Sequence, residues 1–391
     1  MKPASDYFHQ TYIEACNAFR EATQANGGIL SSYGNHPDQG MHGETLTTNV
    51  AYFGPKNPEK IFITTSGTHG VEGYYGSAAQ INMIENQLKN LPDDVGVLVI
   101  HAINPYGFSH LRRVTGSKEN VDLNRNFIFD QGEDSIIPLN LGYKHVAKYL
   151  VPEKWAKNDS IRQEADQQLA AYKNTFGAQA YLSAIYKGQY QFPDGINYGG
   201  QEPTWSNKTF YQILQDCVPA SVNEVAYIDL HTGWDEYGLV AIYTLMEAIH
   251  ENHLRAKAWY EKTADKIMSS PFPVVGSIAN ATNEYFSERN VKVTTTAIEV
   301  GTVKSPGTTL TALRGDHCLY RYGNGDIHSL EGKAIKEKMR EDYCPSDPEW
   351  REQVLQKSAN IIGATINQLK LTAENKLEVG VGVELRKRKN N

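Results

Sequence analysis

Apolar residues recur along the chain in two rhythms, and these divide it into helices and strands. Phe8, Tyr12, Ala15, Phe19 and Ala22 stand at helical spacing, so a helix is predicted over 5–25, capped by Ser5 or Asp6 and ended by Gly27-Gly28. Shorter apolar runs at 44–53, 60–65, 96–103, 225–230 and 293–300 read as strands, with a helix over about 71–91 between the second and third. The run 96–103 is apolar on both faces, which suits a central strand. Strand, helix, strand at this spacing predicts an α/β fold with a mixed, largely parallel sheet covered by helices on both faces. Ligands gather beyond the carboxyl ends of strands in such sheets, so the polar turns that follow these strands are expected to converge.

Residues 128–223 differ in character. A Gln/Ala-rich helical segment over 160–186 is followed by a Gly/Tyr/Pro/Trp-rich loop over 192–205, and the whole is expected to be an insertion capping the site. Residues 328–372 read as two amphipathic helices broken at Cys344-Pro345-Ser346-Asp347-Pro348. The basic residues within 373–391 read as a frayed tail on a single domain spanning 1–391.

Composition narrows the functional classes. A net charge of −7 leaves no electrostatic footprint for nucleic acid. No run approaches the roughly 18 apolar residues a membrane helix needs, and the N-terminus lacks a secretory apolar region, so a cytoplasmic protein is expected. Cys16, Cys217, Cys318 and Cys344 lie far apart without a C-x-x-C, against both a disulfide framework and a thiolate zinc site.

The candidate chemistry begins where the strand at 60–65 runs into Gly67-Thr68-His69-Gly70-Val71-Glu72-Gly73. An imidazole and a carboxylate are ligand types that zinc uses in hydrolytic centres, which need three protein ligands and one open position. Roughly one His-x-x-Glu is expected by accident in a chain with this many histidines. His328-Ser329-Leu330-Glu331 has the same spacing but opens a Lys/Glu-rich stretch, and reads as a solvated helix start. A third ligand candidate is His231, at the end of an apolar strand with Asp229 two residues before it on the same side; a core or capping histidine is the alternative. Glu299, in an otherwise apolar strand end, would cost several kcal/mol to bury unpaired, so it meets a cation or faces a cavity as a general base. Between Asn104 and Phe127 lie four asparagines and three arginines (Arg112, Arg113, Arg125), a donor-rich stretch suited to an anion.

In this order, His69-x-x-Glu72, Asn104-Pro105-Tyr106-Gly107, Asp122-Leu123-Asn124-Arg125-Asn126-Phe127, Asp229-Leu230-His231 and Ala297-Ile298-Glu299-Val300-Gly301 resemble the zinc carboxypeptidase superfamily over roughly residues 40–310. That superfamily includes carboxypeptidases and the aspartoacylase/succinylglutamate desuccinylase-like deacylases; the forms Gly-Thr-His-Gly-Val-Glu-Gly and Asp-Leu-His-Thr-Gly most resemble a bacterial subgroup labelled DUF2817. The resemblance implies one zinc ion held by His69, Glu72 and His231, with Glu299 as general base and Arg113 stabilising the oxyanion. It implies Asn124 and Arg125 gripping the substrate's terminal carboxylate, with Arg112 beside them. The implied activity is a metallocarboxypeptidase acting on a small peptide; the alternatives are a deacylase of N-acyl amino acids and a zinc-holding binding protein without turnover. The insertion between Glu72 and His231 departs from the superfamily pattern, as does the short Arg-to-Asn spacing, and Tyr237, Tyr243 and Tyr320 all compete for the place of the lid tyrosine.

Overall fold

The apolar runs become neighbouring strands of one sheet. In the computed structural model, which describes residues 2–128, 137–269 and 274–370, these are β1 (Ile29–Tyr33), β2 (Thr48–Phe53), β3 (Lys60–Ser66), β4 (Val95–His101), β5 (Glu224–Thr232), β6 (Val240–Tyr243), β7 (Lys266–Met268) and β8 (Lys292–Val300). Their order is β1-β2-β4-β3-β5-β8-β6-β7. The four central strands β4, β3, β5 and β8 run parallel, while β2 and β6 pair antiparallel on either side of them. β3 connects to β4 on one side and pairs with β5 on the other, so its carboxyl end opens at a switch point where a crevice is built into the topology.

Successive residues of the central strands feed two apolar layers. Phe62, Ala226, Ile228 and Leu230 face one, which is closed by α1 (Tyr12–Ala25), α2 (Gly73–Asn86), α7 (Glu251–Tyr260) and α11 (Pro348–Lys370). Ile61, Ile63, Val225 and Tyr227 face the other, closed by α6 (Trp205–Cys217) and α8 (Ile278–Ser287). Within the expected insertion, α4 (Tyr143–Leu150) and α5 (Ser160–Tyr186) share a smaller cluster with α9 (Thr308–Tyr322). The tail at 373–391 and the stretch 129–136 lie outside the described residues.

The first helix begins later than its apolar spacing suggests, at Tyr12, after a separate 3-10 turn at Ala4–Tyr7. Thr11 and Glu14 form a reciprocal capping box there, and this outcompetes Ser5 or Asp6 as the start signal. His328 and Glu331 are exposed at the beginning of α10 (Leu330–Tyr343), where Ser329 is the cap.

His101, at the end of β4, is fully buried, its ring stacked 4.5 Å from that of Phe19 and its Nε2 2.8 Å from Ser77 Oγ. Burial pushes its pKa down to about 3. Between the ordinary imidazole value and that depressed one, the unfolded chain binds a proton that the folded chain refuses, so stability is present above the upper limit and is lost as pH falls through this window. The expected slope is at most about 1.4 kcal/mol per pH unit for this one group. Urea unfolding of wild type and His101→Gln between pH 7 and pH 4 checks it; the variant's stability should fall less steeply with acid, whatever its stability at pH 7.

Candidate metal centre

β3 delivers His69 to a turn that glycine alone permits. Gly67 sits at φ 66°, and a Cβ on Gly70 would lie 1.9 Å from the carbonyl carbon of Gly107. The turn that crosses there is α3 (Pro105–Ser109), capped by Asn104, whose Oδ1 accepts from Gly107 N at 2.9 Å. Glu72 follows one 3-10 turn after His69, immediately before α2. His231 is the penultimate residue of β5, and register places it directly beside Glu299 on β8. Main-chain pairing therefore sets a candidate ligand and a candidate base side by side on one face of the sheet.

The three ligand candidates meet. His69 Nδ1 lies 2.9 Å from Glu72 Oε1, and His231 Nδ1 lies 2.9 Å from Glu72 Oε2; one donor atom from each residue falls within 4.8 Å of the others. Each ring is oriented from behind by a carboxylate. Asp122 Oδ1 is 3.1 Å from His69 Nε2, and Asp229 Oδ2 is 2.5 Å from His231 Nε2. With Nε2–H donating to these acids, both Nδ1 lone pairs point to a common centre. Asp229 is itself fixed by the hydroxyls of Thr65 (2.6 Å) and Thr68 (2.8 Å), which donate to its other oxygen.

The electrostatics call for a cation. Burial pushes the Glu72 carboxyl up, but the His69 and His231 imidazoles outweigh it and hold the pKa well below the usual range. Burial likewise disfavours the His231 imidazolium, yet Asp229 and Glu72 raise its pKa well above the ordinary value. The Glu72 and Asp229 carboxylates thus hold a positive charge between them at His231, the place a bound cation would take over on displacing that proton. Two imidazoles and one carboxylate also match the donor set of an open catalytic zinc site, and the protein's cysteines are free and take no part in the cluster. The residues therefore fit the ion.

Glu299 opens onto the same pocket, where Trp234 N donates to its Oε1 at 3.1 Å. Burial, and then the charge of Glu72, push its carboxyl up to about 8, into the range useful for moving protons at neutral pH. Arg113 reaches across the ligands, its Nη1 at 3.1 Å from His69 Nδ1 and 3.3 Å from Glu72 Oε1. Asn124 and Arg125 line the pocket as well. Asn124 Oδ1 accepts from Ile278 N, while Arg125 donates to the carbonyls of Asn124 and Tyr186 and keeps a buried Nε without a partner.

The rest of the donor-rich stretch is structural. Arg112, expected beside Asn124 and Arg125, is almost fully buried, bonded to Asp316 at 2.9 Å and stacked 3.6 Å from the centre of the Tyr320 ring, and the pocket lining does not include it. Asn120 and Asn126 spend their amides on backbone carbonyls of the 193–202 loop. Of the three competing tyrosines, Tyr243 lines the pocket, whereas Tyr320 is taken by Arg112 and Tyr237 by Asp347. Nothing in the sequence marked Tyr186 and Trp234, which meet edge to face at 4.9 Å across the pocket. Asp122 stands in the sequence only as the first residue of the Asp122–Phe127 motif, with nothing to mark it as the partner of His69.

Residues 8–357 match the model of a family described as "Protein of unknown function (DUF2817)". No curated protein matches the sequence. Among solved structures the chain is similar to bovine thrombin-activatable fibrinolysis inhibitor in complex with tick carboxypeptidase inhibitor, at 10% identity and TM-score 0.50, over 93% of this chain and 98% of that one. At this identity the likeness shows the fold alone, a carboxypeptidase-like α/β sheet. Weaker similarities include a metallo-carboxypeptidase from Burkholderia cenocepacia (11% identity, TM-score 0.41, 91% of this chain and 68% of that one). Another is murein-tripeptide amidase MpaA from Escherichia coli O157 (14% identity, TM-score 0.36, 80% and 91%).

Proposed function

We propose that this chain, which belongs to the DUF2817 family, is a zinc-dependent hydrolase that cleaves an amide bond next to a free carboxylate, acting as a metallocarboxypeptidase. The observation that carries the proposal is the convergence of His69, Glu72 and His231 on one point, in a pocket that also holds Glu299, Arg113 and the Asn124–Arg125 pair.

His69, Glu72 and His231 would hold the ion, which when bound supplies Lewis acidity, polarising a carbonyl and making water a competent nucleophile near neutral pH. The protein's own groups do the rest. Arg125, with its unpartnered Nε, and the Asn124 amide hold the terminal carboxylate and so set the scissile bond in the pocket. Glu299 removes a proton from the attacking water and returns it to the departing amine, a two-way transfer suited to a carboxyl whose pKa lies near neutrality. Arg113 donates to the oxygen that gains negative charge, and because its guanidinium is held charged by Asp122 and Glu72 it needs no rearrangement of protons to do so.

Metal analysis of the purified protein tests the ion, and a screen of acylated dipeptides against N-acetyl and N-succinyl amino acids, with and without chelator, tests the reaction. Cleavage of the dipeptides alone supports a carboxypeptidase; cleavage of the acyl amino acids alone would make the deacylase the better reading. The carboxylates behind the rings give a further expectation. Asp229→Asn should weaken metal binding by about 10- to 100-fold, read by competition with a chromophoric chelator, because the amide no longer enforces the Nε2–H tautomer of His231.

A further inference from the structure

The pocket at the metal centre is small, about 130 Å³, and it adjoins a second cavity of about 550 Å³. Tyr186, Gly233, Trp234 and Thr309 line both; Asn124 and Arg125 line only the first. A peptide whose terminal carboxylate is held by that pair, with its scissile bond at the ligands, therefore extends its acyl side past Tyr186 and Trp234 into the larger cavity. One wall of that cavity is α5, broken at Gly177, whose φ of 87° and ψ of 165° lie outside the helical region.

Charge on the cavity lining, to which α5 gives Arg162, Asp166 and Lys173 and α9 gives Arg314, is unbalanced. Arg162, Lys173 and Arg314 stand with a single carboxylate, Asp166. Arg314 bonds Asp166 at 2.6 Å and gives its remaining donors to the carbonyls of Tyr149 and Leu150, so these two charges offset each other. Arg162 is 3.7 Å from the same acid, packs 3.9 Å from the Trp155 ring centre, and has a buried Nε without a hydrogen-bond partner. Lys173 is exposed and forms no ion pair among the described residues. Arg162 also donates Nη1 to the Trp155 carbonyl at 2.7 Å, so Lys173 is the cation of this lining that no carboxylate of the described residues engages, and the lining as a whole sets three cations against one acid.

We infer that α5 is a selectivity wall, and that the outer cavity takes the acyl-side residues of a peptide bearing a carboxylate side chain there. This rests on the peptidase reading above. N-acyl amino acids have no amino-acid residue before the scissile bond to place in the outer cavity, so the inference also places the natural substrate among longer peptides that are acidic there.

The test is a set of peptides in which one Glu occupies each of the three positions before the scissile bond, each paired with its Gln counterpart and assayed with the zinc-loaded full chain. At one position or more, kcat/KM for Glu should exceed that for Gln by about fivefold at low salt, carried by KM. The ratio should shrink toward one at about 0.5 M salt, where exposed charges are screened, and fall to one or below in Lys173→Glu. Peptides cleaved with a ratio of one at every position overturn the inference and leave the hydrolase reading intact. A ratio unchanged in Lys173→Glu overturns the assignment to this wall, and cleavage of none of the peptides overturns both readings.

Discussion

Glu299→Gln is expected to lower kcat by about 10³-fold while the protein still binds one metal ion with unaltered affinity. The substitution keeps the shape of the side chain and an oxygen for the Trp234 backbone N–H, so the β5–β8 pairing that holds it is undisturbed. What it removes is the ability to take up and release a proton. KM should change little, because the groups proposed to hold the substrate, Asn124 and Arg125, are separate. A variant that kept its turnover would leave the pocket as a binding site and remove the reason for placing an acid there. Calorimetric metal binding beside steady-state kinetics separates these outcomes.

His231→Ala is expected to have the larger effect, reducing both bound metal and turnover to background. Two remaining donors cannot make the three-ligand set a catalytic zinc requires. The damage should also reach stability. Asp229 is nearly fully buried and now faces His231 at 2.5 Å; without the ring its charge keeps only the hydroxyls of Thr65 and Thr68. Removing one partner of a buried ionic pair costs about 3–5 kcal/mol, so the variant should melt well below wild type. The double variant His231→Ala/Asp229→Asn should recover much of that loss and none of the activity, and this pairing of results distinguishes a lost ligand from a merely disrupted core.

The central strands were legible because each is a short apolar run, and a sheet covered on both faces demands such runs. β1, β6 and β7 were not. β1 carries Ser31 and Ser32 and is largely exposed, and β6 and β7 are only four and three residues long, so their pairing is decided by neighbours far away in the chain. In the site, His69, Glu72, His231 and Glu299 each sit where a strand or its following turn ends, and the ordered motifs brought them into view together. The donor-rich stretch misled in part because asparagine and arginine serve backbone carbonyls as readily as they serve ligands. Arg112 and Arg113 are adjacent and alike, yet one is bound by Asp316, which lies some two hundred residues along the chain, and no local pattern separates them. Tyr186 and Trp234 come from the insertion and from the turn after β5, a meeting that only the folded chain reveals.

The register of β5 with β8 has a consequence for how this protein tolerates change. His231 and Glu299 are cross-strand partners, locked by the same ladder that runs from Glu224 and Lys292 onward. Deleting one residue early in β8 would carry the acid to the opposite side of the sheet, among the aliphatic side chains of the core, and bring Val300 round into its place. A change of length should therefore be ruinous in this nine-residue strand, although only Ala297 and Glu299 of it line the crevice.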